Sequence, residues 1–233
     1  MSLSRSFLCD FVRNIEMSSS IINALEIRIA VATFVLVARS VCAEDAALAE
    51  KIRDVSPDEK FALRISYDQK EDERIAAQND PGEHRLSDGM FSRAVAEIDL
   101  VSLPAKEKVV ELFKPDLGTN FGDITLLWSA DSRWFAYYNS QLGTGDTDVY
   151  TDRDGKFVKV NSSSKDLSAK VKGDFRNEWI RPIKWVKPGV LVLEDEAIGN
   201  SGHVKFELTA RIDADGSVEM INKKKLKVKP EAG

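Results

Sequence analysis

The sequence predicts an all-β fold, three antiparallel β-meanders stacked on one another, behind a leader and a short helix. Three observations carry this. From residue 56 onward apolar and polar residues alternate in short runs bounded by Gly, Asp, Asn and Pro, the pattern of half-buried strands. The stretch SPDEKFALRIS (56–66) returns 73 positions later as SADSRWFAYYN (129–139). The turns DRDG (152–155) and DADG (213–216) are spaced 61 apart, and Trp128 and Trp185 are spaced 57 apart, as a repeated supersecondary unit requires.

Residues 1–43 read as a leader. IAVATFVLV (29–37) follows Arg28 and precedes ARSVCA, with Val41 and Ala43 at the small-residue positions of a secretory cleavage site. A membrane span needs about 20 apolar residues, more than this run supplies, so no membrane span is expected. The apolar run lies unusually deep, which points to Met17 as the start of translation. Cleavage after Ala43 removes Cys9 and Cys42 and leaves no disulfide, thiolate nucleophile or Cys-based zinc site. It also leaves 29 bases against 35 acids, a net of −6, where a nucleic-acid protein carries a basic excess.

Residues 44–233 then form one domain. EDAALAEKIRD (44–54) is Ala-rich and predicts a short helix. Strands follow at 61–66, 91–101, 108–113, 124–128, 134–139, 148–152, 157–160, 183–186, 190–194, 203–213 and 217–221. Asp-Gly at 154–155 and 215–216 marks hairpins. The units so defined span about 56–113, 121–160 and 180–221.

WSADSRWFAYYN and SPDEKFALRIS resemble the WSPDG(K) turn of TolB-type β-propeller repeats, and DVYTDRDGKFVKV resembles the continuation of such a blade. The third unit, KWVKPGVLVLED, keeps the Trp and a Pro-Gly turn without the Asp. The resemblance implies a propeller-like or partial propeller arrangement and leaves function open. TolB is a periplasmic interaction protein, and other proteins with such repeats are peptidases whose chemistry lies in a separate domain. Propellers close with four to eight blades, and three units make an open stack. WFAYYN is apolar on both faces (Trp134, Ala136, Tyr138 and Phe135, Tyr137), so the middle unit is expected between neighbours. FALRIS sets Phe61, Leu63 and Ile65 against Ala62, Arg64 and Ser66, and HVKFELTARID alternates strictly, so the outer units are expected to have wet faces.

No catalytic residue, metal ligand or cofactor is assigned. His84 and His203 lie outside any nucleophile motif, and GTG or NSG is no nucleophile elbow. Asp146, Asp148, Asp152 and Asp154 offer oxygen ligands suited to calcium but miss the EF-hand spacing. The tail NKKKLKVKPEAG (222–233) reads as an edge strand guarded by Lys. What remains is charge in the connections between second and third strands of each unit, expected as loops at 68–90, 139–148 and 194–203. Together they carry −9, with acidic clusters at Glu71, Asp72 and Glu73, at Asp146 and Asp148, and at Glu194, Asp195 and Glu196. An exported non-catalytic binding or assembly module, docking a protein or cationic ligand at this edge, is the functional expectation. The alternatives are a metal-dependent or hydrolase-like enzyme using the same loops, and a structural protein associating through its sheet edges.

Overall fold

The computed structural model describes residues 48–78, 84–87, 89–115, 119–161 and 163–228. The chain divides into two units at residues 1–47 and 48–233. The leader, its cleavage site and Met17 therefore lie outside the described residues. In the second unit the fold is mostly β. A four-stranded antiparallel sheet, in order β1-β2-β3-β4, comprises β1 (Ala49–Arg53), β2 (Phe61–Tyr67), β3 (Val95–Ser102) and β4 (Lys108–Phe113). An eight-stranded mixed sheet holds β5 (Phe121–Trp128), β6 (Trp134–Gln141), β7 (Thr144–Arg153), β8 (Lys156–Lys159), β9 (Phe175–Lys187), β10 (Val190–Gly199), β11 (Gly202–Ile212) and β12 (Val218–Lys225). Its order is β12-β11-β10-β9-β7-β6-β5, and β8 pairs β7 beside that path. Neither sheet closes into a barrel.

The N-terminal helix expected over 44–54 is not what the described part of that stretch forms. Ala49–Arg53 is strand β1, paired antiparallel with β2 from Ala49↔Tyr67 to Arg53↔Leu63. Pairing with a buried strand overrides a helix propensity worth tenths of a kcal/mol per residue.

The two copies of the repeated turn are built alike. Ser56 Oγ donates to Asp58 Oδ1 (2.7 Å) and accepts from Phe61 N (3.0 Å), while Lys60 N donates to Asp58 Oδ1 (3.3 Å). Ser129 Oγ likewise donates to Asp131 Oδ1 (2.6 Å) and accepts from Trp134 N (3.0 Å), with Arg133 N on Asp131 Oδ1 (3.2 Å). Each copy has one residue at positive φ, Glu59 (60°) and Ser132 (57°). In the third turn, without Ser or Asp, Gly189 supplies the positive φ (71°). The turns also meet, since Asp58 N donates to Ser132 Oγ (3.0 Å).

Two tryptophans tie consecutive units together. Trp128 Nε1 donates to Asp54 O (2.8 Å), and Trp185 Nε1 to Leu127 O (2.9 Å). Asp54 and Leu127 are 73 positions apart, the offset of the turns, so the same contact is made twice. The free edge of β5 is closed by the end of β1. Leu126 N donates to Asp54 Oδ2 (3.1 Å), and the Arg53 guanidinium reaches Ile124 O.

Strand alternation places two cores on either side of β5–β7. Phe121, Ile124, Leu126, Phe135, Tyr137, Tyr150 and Phe157 pack with Leu63, Ile65, Ile98 and Leu100 of the smaller sheet. Phe135 stacks on Tyr150 with centroids 4.7 Å apart. On the opposite face Ala136 and Val149, with Trp134 and Leu127 beside them, pack with Ile180, Leu191, Leu193, Leu208, Ala210 and Ile212. The middle strands are thus covered on both faces. The outward face of β11 is wet as its alternation requires, but that of β2–β3 is not. There Ala62, Asp99 and Val101 are fully buried and Ser66 nearly so.

Candidate functional site

The three expected loops are largely regular structure. Between β2 and β3, residues Gln69–Gln78 form helix α1. Asp68 caps it by accepting from Glu71 N (3.1 Å), Glu71 and Asp72 sit in its first turn where the helix dipole favours acids, and Ile75 is buried. Residues 139–148 are a tight turn, Leu142–Gly143, between β6 and β7, so Asp146 and Asp148 are strand residues. Residues 194–203 are likewise a turn at Asn200–Ser201, and Glu194, Asp195 and Glu196 lie within β10. The reason is the same in both places. Gly145, Thr147 and Val149 alternate with Asp146 and Asp148, as Leu193, Asp195 and Ala197 do with Glu194 and Glu196, and period two outweighs polarity.

The two turns do lie side by side. Glu178 N donates to Gly143 O (3.1 Å), joining the β6–β7 turn to the start of β9, and Asp174 N donates to Ser201 Oγ (2.7 Å), joining that start to the β10–β11 turn. The short 3₁₀ turn Ser92–Ala94, at the end of the α1 connection, packs against β5. The acids themselves are divided among faces. Asp146 and Asp148 share the face of Tyr150, turned to the smaller sheet, whereas Glu194 and Glu196 lie on the outward face of β10.

Most of these carboxylates already have partners. Glu71 holds Arg74 through two bonds of 2.6 and 2.7 Å, and the guanidinium keeps its carboxyl below the usual range. Asp148 pairs with Lys159 (2.7 Å). Glu194 binds Lys205 (2.8 Å) and Arg181 (3.3 Å), and Glu196 binds His203 Nε2 (2.7 Å). Asp72 accepts from Phe91 N, Glu73 from Gln69 Nε2 (2.9 Å), and Asp146 from the Ser164 hydroxyl. Among the described residues no base pairs with these last three. Leu142, at the tip of the turn that leads into β7, is 76% exposed.

Asp195 differs from its neighbours because alternation turns it inward, where it is fully buried. Ala169 N donates to Oδ2, while Oδ1 has no partner among the described residues. Burial pushes this carboxyl up, against the pull of the Ala169 N–H and the charge of Lys223, whose Nζ donates to Ala169 O. Glu178, one row away on the same face, is also pushed up, first by burial and then by the charges of Asp195 and Asp146, against the pull of Lys165. The fold therefore gathers Asp146 and Asp195 around Glu178. Sequence reasoning missed Glu178; its alternation with buried Ile180 was the available signal.

Among the described residues one group of three carboxylates is close enough to share an ion: Glu97, Asp99 and Glu111 of β3 and β4. Lys108 Nζ lies 3.5 Å from Asp99 and 3.5 Å from Glu111 and bonds Glu97, while Arg64 holds Asp99 at 2.6 Å. The ammonium stands where a metal would, and the cluster is an ion-pair network. Burial pushes Asp99 up against the pull of Arg64, and the Lys108 hydrogen bond holds Glu97 down. His203 belongs to the Glu194–Glu196–Lys205 lattice on β10 and β11, where its Nε2 bonds Glu196, and no hydroxyl among the described residues bonds it. No helix among the described residues is long and apolar enough to cross a membrane. Comparison with known proteins finds no matching family model, no matching curated protein and no matching solved structure.

Proposed function

We propose that the chain is an exported, non-catalytic binding or assembly module that docks a cationic partner at the sheet end carrying α1 and the β6–β7 and β10–β11 turns. The observation that carries this is the exposed Leu142 in the β6–β7 turn, with Asp146 further along β7 and Glu178 joined to that turn through its backbone N–H. This end offers an exposed apolar side chain near two carboxylates that form no ion pair among the described residues, Lys165 acting on Glu178 only at longer range, on a frame whose middle strands are packed on both faces. Asp72 and Glu73 extend the same charge on α1. An apolar anchor ringed by charge is what a docking surface needs, because the apolar group supplies affinity and the charges supply steering. Glu194 and Glu196, paired with Arg181, Lys205 and His203, contribute less to that field than their count implies.

The repeated Ser-x-Asp turn and the repeated indole-to-carbonyl contact support reading the stack as an open, propeller-type arrangement of TolB-like blades. The apolar run at 29–37 and the residues before Glu44 support export.

The test captures partners from the native envelope or secretion fluid and measures association rates against the purified protein. The variant Glu73→Gln/Asp146→Asn/Leu142→Ala keeps hydrogen-bonding shape. It is expected to slow association roughly tenfold and to flatten its salt dependence, since exposed charges act over a Debye length of about 8 Å. An on-rate indifferent to both substitution and salt overturns the proposal. Calcium titration of Asp146→Asn separates the metal-dependent alternative, which requires saturable heat that this variant loses.

A further inference from the structure

We infer that β12 is a second docking surface, an open strand edge that takes an extended acidic segment of a partner protein as an added β-strand. Val218–Lys225 pairs with β11 and ends the eight-stranded sheet, so among the described residues one side of its backbone has no strand partner. The opposite end of that sheet is treated differently, since β5 has its edge closed by Arg53 and Asp54. No hydrogen bond among the described residues caps β12 in that way.

The direction of the open groups follows from one bond. Leu226 N donates to Lys205 O (2.8 Å), so the backbone of residue 226 faces β11. Alternation along an antiparallel strand then turns the N–H and C=O groups of Lys223 and Lys225 to the free side. The side chains fix the chemistry of what can pair there. Lys224, Lys225 and Lys227 are exposed, and none has an acidic partner among the described residues. Lys224 stands opposite Glu207 in register without a side-chain ion pair between them. Lys223 is the exception, drawn inward to Ala169 O and over the Phe206 ring at 4.7 Å. Ile221 adds an apolar contact, 45% exposed because it is the extra residue of a bulge between Thr209↔Asn222 and Ala210↔Met220.

Lysines on an edge repel a second identical edge, which protects against self-pairing. The same charges attract a strand of opposite sign, and strand addition then supplies main-chain hydrogen bonds. A partner segment alternating Glu or Asp with β-branched residues fits both features. This surface rests on observations separate from those at the Leu142 end.

The test uses the full chain and a fluorescein-labelled peptide of about twelve residues alternating Glu with Val, followed by anisotropy. Saturable binding is expected. Lys224→Gln/Lys225→Gln/Lys227→Gln should weaken it roughly tenfold or more and reduce its salt dependence. Lys225→Pro is read against Lys225→Ala, because the two lose the same charge and only Pro removes the open-edge N–H. Weaker binding by the Pro variant, at an unchanged unfolding midpoint, supports strand addition. Equal binding by the Pro and Ala variants overturns it, leaving charge attraction alone. Absence of saturable binding overturns it as well, and so does adsorption to phosphatidylserine vesicles without peptide binding.

Discussion

Asp195 stands between two glutamates in the sequence and shares neither their surroundings nor their role. Glu194 and Glu196 face outward to bases, while Asp195 is sealed against Ala169 N with one oxygen unpartnered among the described residues. Its carboxyl and that of Glu178 are held above the unfolded values by burial. A raised folded value means the native state binds protons more readily than the unfolded chain. The contribution of this pair is therefore most favourable in acid and is lost as pH rises through the raised values. Asp195→Asn removes the charge and keeps an acceptor for Ala169 N. At neutral pH the variant is expected to equal or exceed the parent in stability, by about 1 kcal/mol for each unit of upward shift relieved. Below the ordinary carboxylate range, about pH 4, the advantage should vanish. Urea titrations at both pH values check this, and a variant less stable at neutral pH than in acid, relative to the parent, contradicts it.

At the scale of elements, the repeated turn was legible because its chemistry lies within six consecutive residues. Ser, Asp and the residue opening the strand make the same bonds at 56–61 and 129–134. Ser129→Ala removes a donor to Asp131 and an acceptor for Trp134 N, and is expected to cost about 1–3 kcal/mol. Trp185→Phe, which leaves Leu127 O without its indole donor, is expected to cost at least about 1 kcal/mol. Denaturation midpoints test both, and values within roughly 0.3 kcal/mol of the parent contradict the reading of these contacts as ties between units. Helix α1 was less legible, since its one buried apolar residue, Ile75, gives little periodicity. Its signal was the cap, Asp68 followed by Glu71 and Asp72. The polar starts of β7 and β10 concealed strands because Asp146, Asp148, Glu194 and Glu196 draw attention to charge and away from alternation. The parallel contact of β7 with β9, two residues long at Thr144↔Glu178 and Gly145↔Trp179, has no local signature at all. Among the described residues it alone joins the β5–β8 strands to the β9–β12 strands in one sheet. Three of the exposed large apolar residues, Ile183, Val186 and Ile221, are extra residues of β-bulges. Their exposure follows from a slip in register, which composition does not reveal.

Across the whole molecule, the candidate site was legible as residue types and not as a surface. Eight acids were visible in the sequence, but their partners Arg74, Lys159, Arg181, Lys205 and His203 come from cross-strand and helical neighbours, known only once register is known. Faces fared better, because WFAYYN states in six residues that the middle strands have no wet side. That statement is the centre of the structural account, since the proposed docking edge needs a frame that does not yield. Equilibrium unfolding of Phe135→Ala and Leu193→Ala, followed by tryptophan fluorescence, tests it most directly. Phe135 opens a cavity on the face toward the smaller sheet, and Leu193 on the face toward β5–β7, and both residues are fully buried. The expected result is a single transition for each variant, with losses of about 3–5 kcal/mol for Phe135→Ala and about 2–5 kcal/mol for Leu193→Ala. A transition that splits in two, or a loss below about 0.5 kcal/mol for either variant, contradicts the account.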